Sequence, residues 1–346
     1  MINQIARKSV VVASAISMLA GCGKSGGTYS ILADSDSYKQ EAEYVPKKID
    51  ILWIIDNSGS MKTSQENLAN NFKSFIQRFQ GNKNDYRMAV GTTDAWEKQF
   101  SSSSTKAKLR DGLGSVKSGY PIMDKNTPNL ESVFSINIKQ GINGNGDERA
   151  FESFKQVLLE PANSAFRRPD AFLAIIIVSD EEDFSQTVAD FSESYSNTKL
   201  KTVQSYIDWL DGYTGGTTNG RNYSVSNIAI QDDACRKSLG SDKFPKRYHE
   251  ITSKTAGING DLCDDFGKTL EIIADSVIQL TSVFKLTREP IPESIVVSVN
   301  GSIVQQDAVN GWTYNATTME ITFHGTAIPS ADATVKINFD PKSIKI

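Results

Sequence analysis

Two runs of consecutive apolar residues, each closed by an acid, constrain this chain more than any other feature. Ile51-Leu52-Trp53-Ile54-Ile55 ends at Asp56, and Ala174-Ile175-Ile176-Ile177-Val178 ends at Ser179-Asp180. A strand with one wet face alternates apolar and polar side chains. A run without alternation suits a strand covered on both faces, as in a parallel sheet flanked by helices. Helical spacing lies between and after these runs. Leu68, Phe72, Phe75, Ile76 and Phe79 share one face of a helix predicted over 63–80. Phe151, Phe154, Val157 and Leu158 do the same over 151–159, and further helices are expected over 203–210 and around Leu270, Ile272, Ile273, Val277 and Leu280. Residues 86–92 and 223–230 read as further strands, and 97–128, rich in Ser, Gly and Lys, as an irregular insertion. The order strand-helix-strand-helix predicts an α/β fold with a mostly parallel central sheet.

The texture changes after Arg288-Glu289-Pro290-Ile291-Pro292. Residues 295–299 alternate and run into Asn300-Gly301, a strong hairpin signal. Short strands are expected again over 319–323 and 334–339. Strands without helices predict a small all-β, sandwich-like domain over 287–346.

The 37 Lys and Arg against 41 Asp and Glu leave a net charge of −4, which gives no support for a nucleic-acid partner. The two histidines, His249 and His324, stand far apart, against a His-rich zinc or iron site. Chemistry therefore has to be sought in oxygen ligands. Asp56-Asn57-Ser58-Gly59-Ser60 sets oxygen-bearing side chains at alternating positions directly after the first buried strand, and Asp180 occupies the equivalent place after the second. Binding sites of open α/β sheets form at the carboxyl ends of strands. Two carboxylates and two hydroxyls, with no soft ligand, suit Mg2+, with Mn2+ or Ca2+ as alternatives.

Asp56-x-Ser58-x-Ser60 followed by Asp180 resembles the metal-ion-dependent adhesion site of von Willebrand factor A domains, over roughly residues 48–286. The resemblance implies a Rossmann-like domain. Its hydroxyls bind the cation directly, its carboxylates often act through water, and one coordination position is left for an acidic side chain of a protein partner. The family also uses a threonine in a Gly-rich loop. Here that loop reads Gly144-Asn145-Gly146-Asp147-Glu148 and holds no threonine. Glu148 or Asp147 could take its place, or a neutral oxygen from Asn145 or Thr93, or the loop could merely start a helix with an acidic turn. The run Asp180-Glu181-Glu182-Asp183 could hold a second cation or form a solvated rim.

The chain opens with Arg7-Lys8, an apolar run over 10–20 too short to span a bilayer, and Leu19-Ala20-Gly21-Cys22, which resembles the bacterial lipobox. The resemblance implies a signal peptide over 1–21, lipidation of Cys22, a polar tether over 22–47 and, with Gly23 following, an outer-membrane lipoprotein. Cys235 and Cys263 remain, as a disulfide or as two buried thiols. A bridge would close a loop of roughly 29 residues, worth about 3–4 kcal/mol. The expected function is metal-dependent binding of a protein partner rather than catalysis. The alternatives are an envelope assembly component, docking through its β-domain with a merely structural metal, and a metal-dependent hydrolase.

Overall fold

The computed structural model describes residues 42–43 and 47–342 except 82, 217–220, 242, 331 and 332. The signal segment, Cys22 and most of the tether reading lie outside the described residues. No helix among those described is long and apolar enough to cross a membrane. The chain runs through β1 (Ala42–Glu43), β2 (Ile49–Ile55), α1 (Lys62–Gly81), β3 (Tyr86–Thr92), the short strands β4 (Gly112–Leu113), β5 (Val116–Lys117) and β6 (Ile122–Asp124), then α2 (Leu130–Ile138), α3 (Ala150–Leu159) and β7 (Phe172–Val178). It continues with α4 (Val203–Tyr213), β8 (Tyr223–Ala229), α5 (Asp233–Leu239), α6 (Lys246–Lys254), β9 (Asn259–Asp261) and α7 (Phe266–Thr281). Short strands follow: β10 (Val283–Lys285), β11 (Val296–Val299), β12 (Ser302–Val304), β13 (Trp312–Asn315), β14 (Glu320–Phe323) and β15 (Val335–Asn338).

The fold is mixed α/β. Its main sheet has the order β6-β3-β2-β7-β8-β9, parallel except for β6 at one edge. Successive side chains of a strand point to opposite faces, and β2 has no polar face to spare. Ile49, Ile51, Trp53 and Ile55 join a core with α1, α2 and α7. Leu52 and Ile54 join a second core with α3, α4 and α6 on the other side. Trp53 meets Phe75 and Phe134 edge-on, with ring centroids 5.0 and 5.4 Å apart. Both apolar runs are thus buried on two faces, which is why neither alternates.

The C-terminal strands form two antiparallel sheets, β1-β15-β11-β12 and β10-β14-β13. Phe284, Val297, Trp312, Ile321, Phe323, Val335 and Ile337, drawn from both sheets, share one core. Asn300 and Gly301 hold the β11–β12 hairpin with φ of 50° and 81°, a conformation that Asn-Gly adopts at low cost. The border of this region differs from the sequence reading. β10 pairs with β14, so the all-β part begins before 287, and β1 pairs with β15, so the tether assigned to 22–47 ends in a strand. Both strands take their place from distant partners and are too short to carry a pattern of their own.

The interval 97–128 is not wholly irregular: it holds the β4–β5 hairpin and the edge strand β6. Helices α2, α5 and α6 and strand β9 were not anticipated. In α2 the signal was present, since Leu130, Val133, Phe134, Asn137 and Ile138 are its buried face at helical spacing. Cys235 and Cys263 are bridged, with Cα atoms 5.6 Å apart, tying α5 to the loop after β9.

Candidate metal centre

Register pairing builds the site. Ile55 lies opposite Val178 of β7 and Thr92 of β3, so the residues that follow these three strands emerge on one rim. The pairing continues one step further: Asp56 N–H donates to the Val178 carbonyl at 2.9 Å and Thr93 N–H to that of Ile55 at 3.1 Å. Asp56, Thr93 and Asp180 therefore sit together at the carboxyl end of the sheet.

Asp56 is fully buried. One of its carboxylate oxygens accepts from the Ser58 N–H at 2.8 Å, the other from the Ser179 hydroxyl at 2.6 Å. Ser58 Oγ lies 3.3 Å from Ser60 Oγ, which donates to Asp180 Oδ1 at 3.0 Å. The four residues form one continuous set of contacts. Burial holds the Asp56 carboxyl above the ordinary carboxylate range, the Ser179 hydrogen bond opposes this, and the Asp180 charge adds to it. Burial raises Asp180 as well, against the Ser60 hydrogen bond. Two carboxylates driven toward their neutral forms by burial, Asp56 also by the charge of Asp180, are stabilised when a divalent ion supplies the missing charge.

The loop over these residues is pinned by amides. Gln65 Nε2 donates to the Asp56 carbonyl at 2.9 Å and to that of Gly141 at 2.8 Å. Gly144 N–H donates to the Asn57 carbonyl at 2.8 Å. A methyl group at Gly144 would come within 2.4 Å of the Asn57 side chain, so any larger residue has to displace Asn57 or the loop.

The same loop sorts the candidates for the family's threonine. Asp147 is taken by the buried Arg149, with Nε–Oδ1 at 2.9 Å and Nη2–Oδ2 at 2.5 Å. Asn145 donates to Glu97 at 3.1 Å and accepts from the Asp147 N–H at 3.1 Å. Neither is free to turn inward. Glu148 and the hydroxyl of Thr93 are buried; Thr93 Oγ1 has no hydrogen-bond partner, and the carboxyl of Glu148 meets that of Glu181 in a side-chain hydrogen bond. Burial first, then the charges of Asp56 and Glu181, hold the Glu148 carboxyl far above its ordinary range. An ionised carboxylate at that depth is among the costliest groups a fold can carry, and the Glu181 carboxyl beside it favours the protonated form. Here it stands beside two others and an unused hydroxyl, a donor set of hard oxygens that fits Mg2+, Mn2+ or Ca2+.

The acids after β7 do not form a solvated rim. Glu182 accepts from the Arg247 N–H at 3.0 Å and from the Tyr195 hydroxyl at 2.8 Å. Asp183 accepts from the Phe151 N–H at the start of α3 at 2.9 Å and from Arg247 Nη2 at 3.1 Å. Both are buried structural groups. Glu181 goes elsewhere: one oxygen from each of Glu148, Glu181 and Glu193 lies within 4.8 Å of the other two. Glu193 was not anticipated, and no local pattern around it signals a ligand. Ser179 was also passed over as a contributor, although its place directly after β7, which runs parallel to β2, sets it beside Asp56.

No protein-family model matches this chain, and no curated protein is similar to it. Among solved structures it is similar to proximal thread matrix protein 1 from the mussel byssus, at 11% identity and TM-score 0.40, over 72% of this chain and 52% of that one. It is also similar to the pilus adhesin SpaC from Lactobacillus rhamnosus GG in its open conformation, at 11% identity and TM-score 0.40, over 87% of this chain and 42% of that one. The chain thus spans about half the length, or less, of each of these proteins.

Proposed function

We propose that this chain is a cation-dependent binding protein of the bacterial envelope, a lipoprotein anchored through Cys22, with a Rossmann-like von Willebrand factor A domain whose metal site recognises an acidic side chain of a protein partner. The observation that supports this most is the convergence of Asp56, Ser58, Ser60 and Asp180 on one rim, beside the buried carboxyl of Glu148 and the unpartnered hydroxyl of Thr93. Asp56, Ser58, Ser60 and Asp180, with Glu148, would hold Mg2+. The ion, when bound, supplies a hard positive centre able to accept one carboxylate from outside.

The protein's own residues hold that centre ready. Ser179 and the Ser58 amide fix both oxygens of Asp56. Gln65 ties the start of the overlying loop to the rim, and the Arg149–Asp147 pair keeps Asp147 out of the site. Ser60 is exposed at the mouth, the side from which a partner would arrive. Such a site binds without transforming what it binds.

The test is binding of the full chain to an array of acidic protein ligands in magnesium, in chelator, and with Asp56→Ala. Binding should vanish in the second and third conditions. Equal signal in all three removes the mechanism. The assembly reading has its own support in Ile303 and Val309 of the all-β part, 67% and 70% exposed. Ile303→Asp with Val309→Asp would abolish partner capture on that reading and leave it intact on ours. Truncation after Leu286 would not discriminate, since it strips β1 and β10 of their partners.

A further inference from the structure

We infer that a cavity at the other rim of the main sheet, between the α/β part and the all-β part, is a binding site for a small organic carboxylate with an apolar body. Register places the cavity. Phe172 N–H donates to the Lys48 carbonyl at 2.7 Å and Leu173 N–H to that of Asn222 at 3.1 Å, so Lys47, Phe172 and Asn222 gather at the amino ends of β2, β7 and β8. Asp56 and Asp180 follow the carboxyl ends, about 20 Å away at about 3.3 Å per residue. The cavity holds about 490 Å3, within the range of small-molecule sites, which favour junctions between packed units. Its far wall comes from Leu280 near the end of α7, Val283 and Lys285 of β10, and Glu320 of β14.

Among the described residues four cations line it: Lys47, Arg221, Lys254 and Lys285. Three are matched by acids. Arg221 is held by Asp211 at 3.0 Å and by the Lys254 carbonyl at 2.6 Å, Lys254 by Glu250 at 2.8 Å, and Lys285 stands directly opposite Glu320 in the β10–β14 register. Lys47 has an amide instead. Its ammonium donates to Asn222 Oδ1 at 3.3 Å, and that amide is fixed the right way round by its own Nδ2, which donates to the Ala171 carbonyl at 3.0 Å. An ammonium carries three donors, so one long bond leaves it short of acceptors. Burial lowers the Lys47 ammonium below its ordinary range, and the charge of Glu320 offsets this only in part. A partly desolvated cation in that position is stabilised by an anion from outside. With one positive charge unmatched the fitting ligand is a monoanion, since a phosphate monoester would set a second negative charge against Glu320. Phe172, Leu280 and Val283 give the cavity apolar walls, which fit a hydrocarbon body and give a bare inorganic anion nothing to fill them.

The site does not rest on the metal centre, and the experiment separates the two. The full chain is titrated by calorimetry with 4-phenylbutyrate and octanoate, with the neutral amide of each, and with inorganic phosphate. At least one carboxylate should saturate a single site per chain, its amide should bind at least tenfold more weakly, and phosphate should not compete. Lys47→Met should weaken carboxylate binding about tenfold. Glu320→Gln should strengthen it severalfold by removing the opposing charge, an effect that a merely structural role for Glu320 would not produce. Val283→Trp, which fills the cavity and leaves its charges in place, should abolish binding. Asp56→Ala and chelator should change nothing, so failure at one centre leaves the other standing. Cooperative unfolding of each variant shows that the fold is retained. Saturation by neither carboxylate, equal affinity for carboxylate and amide, competition by phosphate, or undiminished binding in folded Lys47→Met and Val283→Trp overturns the inference.

Discussion

Replacing Glu148 by glutamine should stabilise the cation-free protein and weaken the cation-bound one. The side chain keeps its shape and loses its charge. In the native fold the Glu148 carboxyl is buried against Glu181, which holds it far above its ordinary range, so folding at pH 7.5 has to take up a proton there. Leaving both acids charged within 4.8 Å instead would cost about 3.5 kcal/mol at an effective dielectric of about 20. A shared proton and the Lys243–Glu193 pair already relieve part of this. A gain of about 1–3 kcal/mol remains for Glu148→Gln in chelator at pH 7.5, and the new amide can donate to Glu181. For a chain of this size that is a rise in Tm of about 2–6 °C. In saturating cation the order should close or reverse, because a tenfold loss of affinity removes about 1.4 kcal/mol of ligand-linked stability. Thermal unfolding followed by circular dichroism, with and without magnesium and calcium, reads both limbs. A variant less stable than wild type in chelator, or one with an undiminished response to cations, would refute the argument that Glu148 is an ion ligand.

The pH dependence should carry the same signature. Asp56, Glu148, Asp180 and Glu181 are held above the ordinary carboxylate range chiefly by burial, and Glu182 is pushed up to about 7. Because the folded state binds these protons more tightly than the unfolded one, stability of the chelated protein should fall as pH rises from about 4.5 to 7, while cation affinity rises over the same window; a flat or rising denaturation midpoint in chelator would contradict this. Converting both Cys235 and Cys263 to serine should cost about 3–4 kcal/mol by chemical denaturation, from the loop the bridge closes, and a loss below about 1 kcal/mol would show that α5 is held by packing alone. Gly144→Ala should destabilise by about 1–3 kcal/mol and weaken cation binding, since the added methyl displaces Asn57 or the loop that carries Glu148. Unchanged cation affinity in that variant would detach the loop from the site.

What was legible beforehand was what local pattern determines. The runs 51–55 and 174–178 can only be buried on both faces, so the central sheet and the residues at its strand ends, Asp56 and Asp180, followed from composition at those positions alone. Which residue stands where the resemblance puts a threonine was legible only as a choice among four oxygens. Asp147 and Glu148 are adjacent acids before the same helix, and what separates them is Arg149, which is buried over Trp96 with its guanidinium carbon 4.0 Å from the ring centroid and claims Asp147. Nothing in the local sequence states that preference. Glu193, β1 and β10 were illegible for a different reason. Each owes its role to partners far along the chain, Glu148 and Lys243 for the first, β15 and β14 for the strands.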